Sequence, residues 1–261
     1  GRTREAFIDQ SDVPQFIASY WGKAQPATHE TPAWHPLPYH CLDVAAAGDA
    51  FLDVRPEYLD ALASSARMER ALARRWLIFA LSLHDIGKYA DCFQIKFQHL
   101  TPSRLPHTPS RDPGHGSVGR ALWACNCDLE LPDDEGGFKH VFRCPPARSK
   151  YIDGFKAWMD AVFGHHGRPV SSASALKTLI STQAARDSRQ FVDTCIDLFQ
   201  PHVPQNAPIP EPANFTRSSW LVAGLAMIAD WIGSSQNLGW FPYEPPNWPL
   251  QEYWPRAQER A

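Results

Sequence analysis

Residues 68–89 read MERALARRWLIFALSLHDIGKY, and the reading of this stretch decides the fold. Leu72, Trp76, Phe79, Ala80, Leu83 and Ile86 recur at the spacing of one helical face, Arg70, Arg74 and Arg75 cluster near the start, and Gly87 supplies a stop signal. The pattern predicts a helix over 68–89 with His84 and Asp85 in its last turn. Working outward, Tyr39 to Leu52 places His40, Val44, Ala47 and Phe51 on one face, which predicts a second helix with His40 at its start. Further helical patterns cover His115 to Leu129, Tyr151 to His165, Ala173 to Phe199 and Arg217 to Ser235, whereas alternating runs bounded by hairpin turns are absent. The expected class is all-α, a helical bundle. Thr101 to Gly114, Leu131 to Lys150 and His202 to Phe215 are rich in Pro, Gly and Asp and read as long surface loops around a site.

Composition narrows the function. The 261 residues, 44% of them hydrophobic and 20% charged, suit one large domain spanning 1–261 rather than a disordered chain. A net charge of -3 writes no general electrostatic grip on a polyanion into the composition, so any nucleic-acid contact is local. The longest apolar run, Trp220 to Ala229, falls well short of the ~20 residues a bilayer span needs, and no secretory leader opens the chain, so no membrane partner is expected. Six irregularly spaced cysteines do not make a disulfide framework, and a cytoplasmic location is the default. The chain opens on Gly1 and closes without a helix stop signal, which reads as a domain excised from a longer protein.

The chemistry starts from two adjacent pairs, His84-Asp85 and His165-His166, each closing an apolar helical pattern. Neighbouring helical residues diverge by about 100 degrees and do not readily chelate one ion, but at a helix terminus they can reach two ions. The pairs suggest a binuclear metal site. Asp230 interrupts the run that ends at Ala229, and a buried carboxylate needs a metal or another cation. Imidazoles with carboxylates match Mn, Fe, Co, Ni or Zn better than Ca. Taken singly, each residue has a blander reading: His84-Asp85 as a hydrogen-bonded helix end, Asp230 as an internal salt bridge, His40 as a core histidine. Cys125 and Cys127, with Cys92 and Cys144, lack the paired CxxC spacing of a structural zinc site. Ser82 and Ser117 sit in no nucleophile elbow, and Gly114-His115-Gly116 is no phosphate loop.

Taken in order, His40, His84-Asp85-Ile86-Gly87-Lys88, His115, Gly164-His165-His166-Gly167 and Ala229-Asp230-Trp231-Ile232-Gly233-Ser234 resemble the HD nuclease domain of the helicase-nuclease of type I CRISPR systems. Trp21-Gly22-Lys23, Pro36-Leu37-Pro38-Tyr39-His40, Phe93-Gln94 and Phe241-Pro242-Tyr243 extend the likeness over nearly the whole chain. The resemblance implies an HD-domain bundle that binds two divalent transition-metal ions, with Mn, Fe, Co or Ni favoured and Mg or Zn as alternatives. It implies a deoxyribonuclease that hydrolyses single-stranded DNA by a two-metal mechanism during antiviral defence. The implied ligands are His40, His84, Asp85, His115, His165, His166 and Asp230, with Asp85 bridging the ions; His107 and His140 compete for the place of His115. Lys88, four residues after His84, is expected to face the scissile phosphate. The implied partners are single-stranded DNA, a helicase domain or subunit and the surveillance complex (Cascade), with a protein inhibitor as a further candidate. Two rival readings remain: an HD-type cyclic-dinucleotide phosphodiesterase, from whose motif the chain departs at Gly167-Arg168-Pro169, and a non-catalytic docking module.

Overall fold

A computed structural model describes residues 13–25, 34–100, 113–128, 149–168, 170, 176, 179–201, 211–235 and 239–261, apart from the side chains of 98–99, 124–128 and 149–153. At its centre lies α2 (Leu37–Val54), whose residues from Leu37 to Gly48 are all buried. A helix apolar on every side belongs inside a core, and its neighbours bear this out. It packs against α4 (Arg70–Ser82), α9 (Pro212–Gly233) and α10 (Leu250–Arg260), while α7 (Ser149–Phe163) lies along α9. Proline in the first turn starts α2, α9 and α3 (Pro56–Ala66), where a missing N–H costs nothing. The Glu69 carboxylate caps α4 by accepting from the Ala71 and Leu72 N–H groups, both at 3.0 Å. Ser181 does the same for α8 (Thr182–Phe199). Between the helices sits an aromatic cluster. Trp76 and Phe155 meet edge-on at 4.6 Å, Trp158 and Phe215 at 5.3 Å, and the Trp158 indole N–H donates to Ser218 Oγ.

The class is all-α, as the periodicity predicts, with one addition. Trp21–Ala24 (β1) and Trp34–Pro36 (β2) pair antiparallel. At four and three residues, these strands are too short for alternation to register. The single-turn helices α1 (Gln15–Ala18) and α5 (Asp91–Gln94) and the eleven-residue α3 and α10 also escape the sequence reading: the first two are too short for periodicity, and Pro255 inside α10 breaks the pattern. The helix expected over 68–89 stops at Ser82, and Ile86–Tyr89 forms a 3-10 turn instead, so His84 and Asp85 lie in the link between the two. Gly87 is therefore no C-cap. A Cβ there would come within 1.8 Å of the His115 carbonyl oxygen, because α6 (His115–Asp128) crosses directly over this turn. Helix α8 starts at Thr182 rather than at Ala173. Most of the three expected loops falls outside the described residues, as does Cys144; Ser149 and Lys150 belong to α7 and Pro212 to Phe215 to α9.

Candidate metal centre

Five helical elements end or begin at one point. His40 comes from the first turn of α2, His84 and Asp85 follow α4, and His115 opens α6. His165 and His166 follow α7, and Asp230 lies in the last turn of α9. All seven residues singled out in the sequence are thus brought together. Within 4.8 Å of one another, their ligand atoms form three overlapping groups: His40, His84 and Asp230; His84, Asp85 and His165; His115, His165 and His166.

Asp85 stands in the middle, and its two oxygens face different partners. Oδ2 lies 3.1 Å from His40 Nε2, 3.3 Å from His84 Nε2 and 2.6 Å from Lys88 Nζ. Oδ1 lies 3.2 Å from His115 Nε2 and 3.7 Å from His165 Nε2. At the outer end, His166 and His115 bring their Nε2 atoms to 2.9 Å. At the other end Asp230 Oδ1 is 3.6 Å from His40 Nε2 and 3.7 Å from His84 Nε2, and it accepts a hydrogen bond from Ser234 Oγ.

Backbone carbonyls orient the rings. At each helix end a carbonyl three residues back accepts from the imidazole: His84 Nδ1 donates to Leu81 O at 3.0 Å, and His165 Nδ1 to Val162 O at 2.8 Å. A carbonyl can only accept, so Nδ1 keeps the proton and Nε2 is the nitrogen offered to the centre. Burial holds the His165 imidazole down at about 4, with the neighbouring His84 adding to it, so its Nε2 is a bare lone pair. That lone pair and Asp85 Oδ1 are both buried and make no hydrogen bond among the described residues. Two acceptors facing each other at 3.7 Å call for a cation, and the donor set of imidazoles and carboxylates suits a divalent transition metal.

Charge is arranged to keep the carboxylates ionised. Burial alone would raise Asp85, but Lys88, His84 and His115 outweigh it and hold the group well below the usual carboxylate range. Asp230 is likewise lowered against its burial, by the His84 imidazole 3.7 Å away. His84 moves the other way: burial pulls it down, yet Asp85 and Asp230 together push it up to about 9. His40 is lowered by burial and by Lys23, and His115 falls to about 4, chiefly through burial.

Lys88 stands directly beside Asp85. It belongs to the 3-10 turn, is 5% exposed, and donates to Asp85 Oδ2 and to the Gly22 carbonyl at 3.0 Å. Two of its three ammonium donors are engaged in this way. The sequence reading missed Lys23, whose Nζ lies 3.8 Å from Asp230 Oδ1; its place in Trp21-Gly22-Lys23 was the available signal. His107 and His140 lie outside the described residues. Cys41 and Cys195 are buried thiols raised by burial, the second to about 12, and neither joins the centre. No helix among the described residues is long and apolar enough to cross a membrane.

Comparison with known proteins bears on this geometry. Residues 21–239 match the family model described as Cas3, HD domain. The chain is 30% identical over 241 residues to the CRISPR-associated endonuclease/helicase Cas3 of Escherichia coli (strain K12), an alignment that covers 84% of this chain and 26% of that protein. The chain therefore spans about a quarter of the curated relative it matches. Among solved structures it is similar to the Thermus thermophilus cas3 HD domain in the presence of Ni2+, with a TM-score of 0.52 and 22% identity over 87% of this chain and 83% of that one. It is also similar to a chain of a CRISPR RNA-guided surveillance complex, pre-nicking, with a TM-score of 0.63 and 19% identity over 93% of this chain and 28% of that one. At these identities the two structures speak for the fold.

Proposed function

The chain belongs to the Cas3 HD-domain family, and from that premise we propose that it is a metal-dependent deoxyribonuclease domain that hydrolyses single-stranded DNA in type I CRISPR interference. The observation that carries the reading is the division of Asp85, one carboxylate oxygen facing His40 and His84 and the other facing His115 and His165. That division favours two ions bridged by Asp85. His40, His84 and Asp230 would hold one, and His115, His165 and His166 the other. Mn, Fe, Co or Ni suits this donor set, and such ions would supply Lewis acidity toward a phosphodiester and activate water as the nucleophile.

The chain's own residues supply order and charge. Lys88 fixes Asp85 in place and keeps it ionised, Ser234 orients Asp230, and the Leu81 and Val162 carbonyls aim His84 and His165. His40, His84, Asp85 and His165 are all buried, whereas His166 is exposed at one end and Asp230 and Lys23 are part-exposed at the other, so among the described residues the centre is a recess reached from its ends. A recess of this kind admits a flexible strand but not a stacked duplex, which supports single-stranded DNA as substrate. A helicase portion, as the name of the Escherichia coli relative implies for that protein, and a surveillance complex would deliver the strand.

The test is incubation of the metal-loaded protein with single-stranded DNA, duplex DNA and a cyclic dinucleotide. Cleavage of the single strand alone is expected. Turnover of the cyclic dinucleotide would point to the rival phosphodiesterase, and a metal-loaded protein inert toward all three would point to a docking module.

A further inference from the structure

Two sequence motifs that the metal centre does not use, Trp21-Gly22-Lys23 and Phe93-Gln94, meet beside it. Gln94 is fully buried and clamps β1 to the turn that carries Lys88. Its Oε1 accepts from the Trp21 N–H at 3.1 Å, and its Nε2 donates to Trp21 O at 3.0 Å and to Lys88 O at 2.7 Å. The Trp21 indole N–H donates back to Gln94 O at 3.0 Å, and the indole packs on Phe93 at 4.6 Å. Lys88 Nζ completes the clamp by donating to Gly22 O. On the other side, Gly22 lets β1 press against α2, since a Cβ would stand 2.8 Å from Leu37 Cα and 3.1 Å from His40 Cβ. Both flanks of this short strand are therefore pinned, and the residue they position is Lys23.

The two lysines beside the centre differ in what remains free. The Lys88 ammonium is buried and gives two of its three donors to Asp85 and Gly22, with the Phe93 ring 5.3 Å away. Lys23 has a side chain 30% exposed, and among the described residues its one ion pair is the 3.8 Å approach to Asp230 Oδ1, too long for a hydrogen bond. A single 3.8 Å pair with a carboxylate that also faces two imidazoles leaves donors of the ammonium unused.

We propose that Lys23 is the cation that contacts the phosphate of the bound strand next to the reacting group, and that Lys88 and Gln94 are positioning residues that hold it there. This rests on the nuclease reading above and assigns within it the phosphate contact expected from sequence for Lys88. Removing a preorganised donor that meets charge developing on the reacting group costs about 10²-fold or more in rate. Losing one phosphate contact to a single strand makes the log–log salt dependence of binding shallower by about 0.7.

The experiment compares the wild type with Lys23→Gln and Lys23→Arg in three measurements: Mn2+ titration by calorimetry, salt dependence of oligothymidylate binding, and kcat/KM for its cleavage. The expected result for Lys23→Gln is Mn2+ affinity no weaker than in the wild type, since a neighbouring positive charge is removed, with a salt slope shallower by about 0.7 and kcat/KM reduced about 10²-fold, and Lys23→Arg recovering most of both losses. Wild-type slope and kcat/KM in Lys23→Gln would overturn the proposal. A loss that tracks weakened Mn2+ binding and vanishes at saturating metal would also overturn it, and would make Lys23 a counter-charge to Asp230. A wild-type protein that binds Mn2+ but neither binds nor cleaves the strand would instead sink the nuclease reading, and this inference with it.

Discussion

Gly87→Ala tests the architecture of the centre without touching a ligand. The new Cβ would stand 1.8 Å from His115 O and 2.5 Å from Gly119 N, both backbone atoms of α6 that cannot rotate away. An ordinary carbon–oxygen contact is about 3.3 Å, so the turn and α6 must separate by roughly 1.5 Å along that direction. His115 opens α6, and its Nε2 lies 3.2 Å from Asp85 Oδ1, so the displacement pulls one side of the centre off the other. Overpacking of this kind typically costs about 1–3 kcal/mol, and in a protein of this size each kcal/mol lowers Tm by about 2–4 °C. Loss of about 2–12 °C in Tm is therefore expected. A misplacement near 1 Å can cost on the order of 10²-fold in rate, so metal-dependent cleavage should fall by at least that much, with weaker binding at the outer group of His115, His165 and His166. The assays are thermal unfolding, calorimetric titration with Mn2+ or Ni2+, and cleavage of a labelled single strand. Wild-type Tm, stoichiometry and rate in Gly87→Ala would refute the close crossing of α6 over the HD turn.

Other expectations follow from the same geometry. Asp85→Ala should abolish cleavage and bridging while leaving the circular dichroism spectrum unchanged, and chelation should silence the wild type until Mn2+ or Ni2+ is restored; near-normal activity of the variant would refute a bridging Asp85. The His84 imidazole, raised to about 9 in the metal-free protein, is protonated at neutral pH and must lose its Nε2 proton to accept an ion. Metal affinity should accordingly rise with pH up to about 9 and level off above it, and calorimetry in buffers of different ionisation enthalpy should record proton release; a pH-independent affinity between 6 and 9 would contradict this. With a net charge of -3 the chain alone should hold single strands weakly, its grip coming from the ions and a few nearby cations, and an anisotropy titration showing nanomolar, metal-independent binding would contradict that.

The residues themselves carry much of this protein in one dimension. Leu72, Trp76 and Phe79 repeat at 3.6-residue spacing, and Asp230 is anomalous within an apolar run, so helix positions and the residue types of the centre can be read from the chain. Such signals are local, because periodicity reports only which face of a segment is apolar. They do not report where a helix gives way to a turn, and the HD pair lies just past the end of α4 rather than inside it. Strands of three and four residues, the meaning of Gly87, and the division of Asp85 between two sets of imidazoles depend on partners far along the chain. His40 lies 45 residues from Asp85, and Lys88 lies 66 residues from the carbonyl it holds. Tertiary packing alone decides which of two lysines is buried against Asp85 and the Gly22 carbonyl and which stays part-exposed, since an ammonium takes its role from the acceptors around it rather than from its neighbours in sequence.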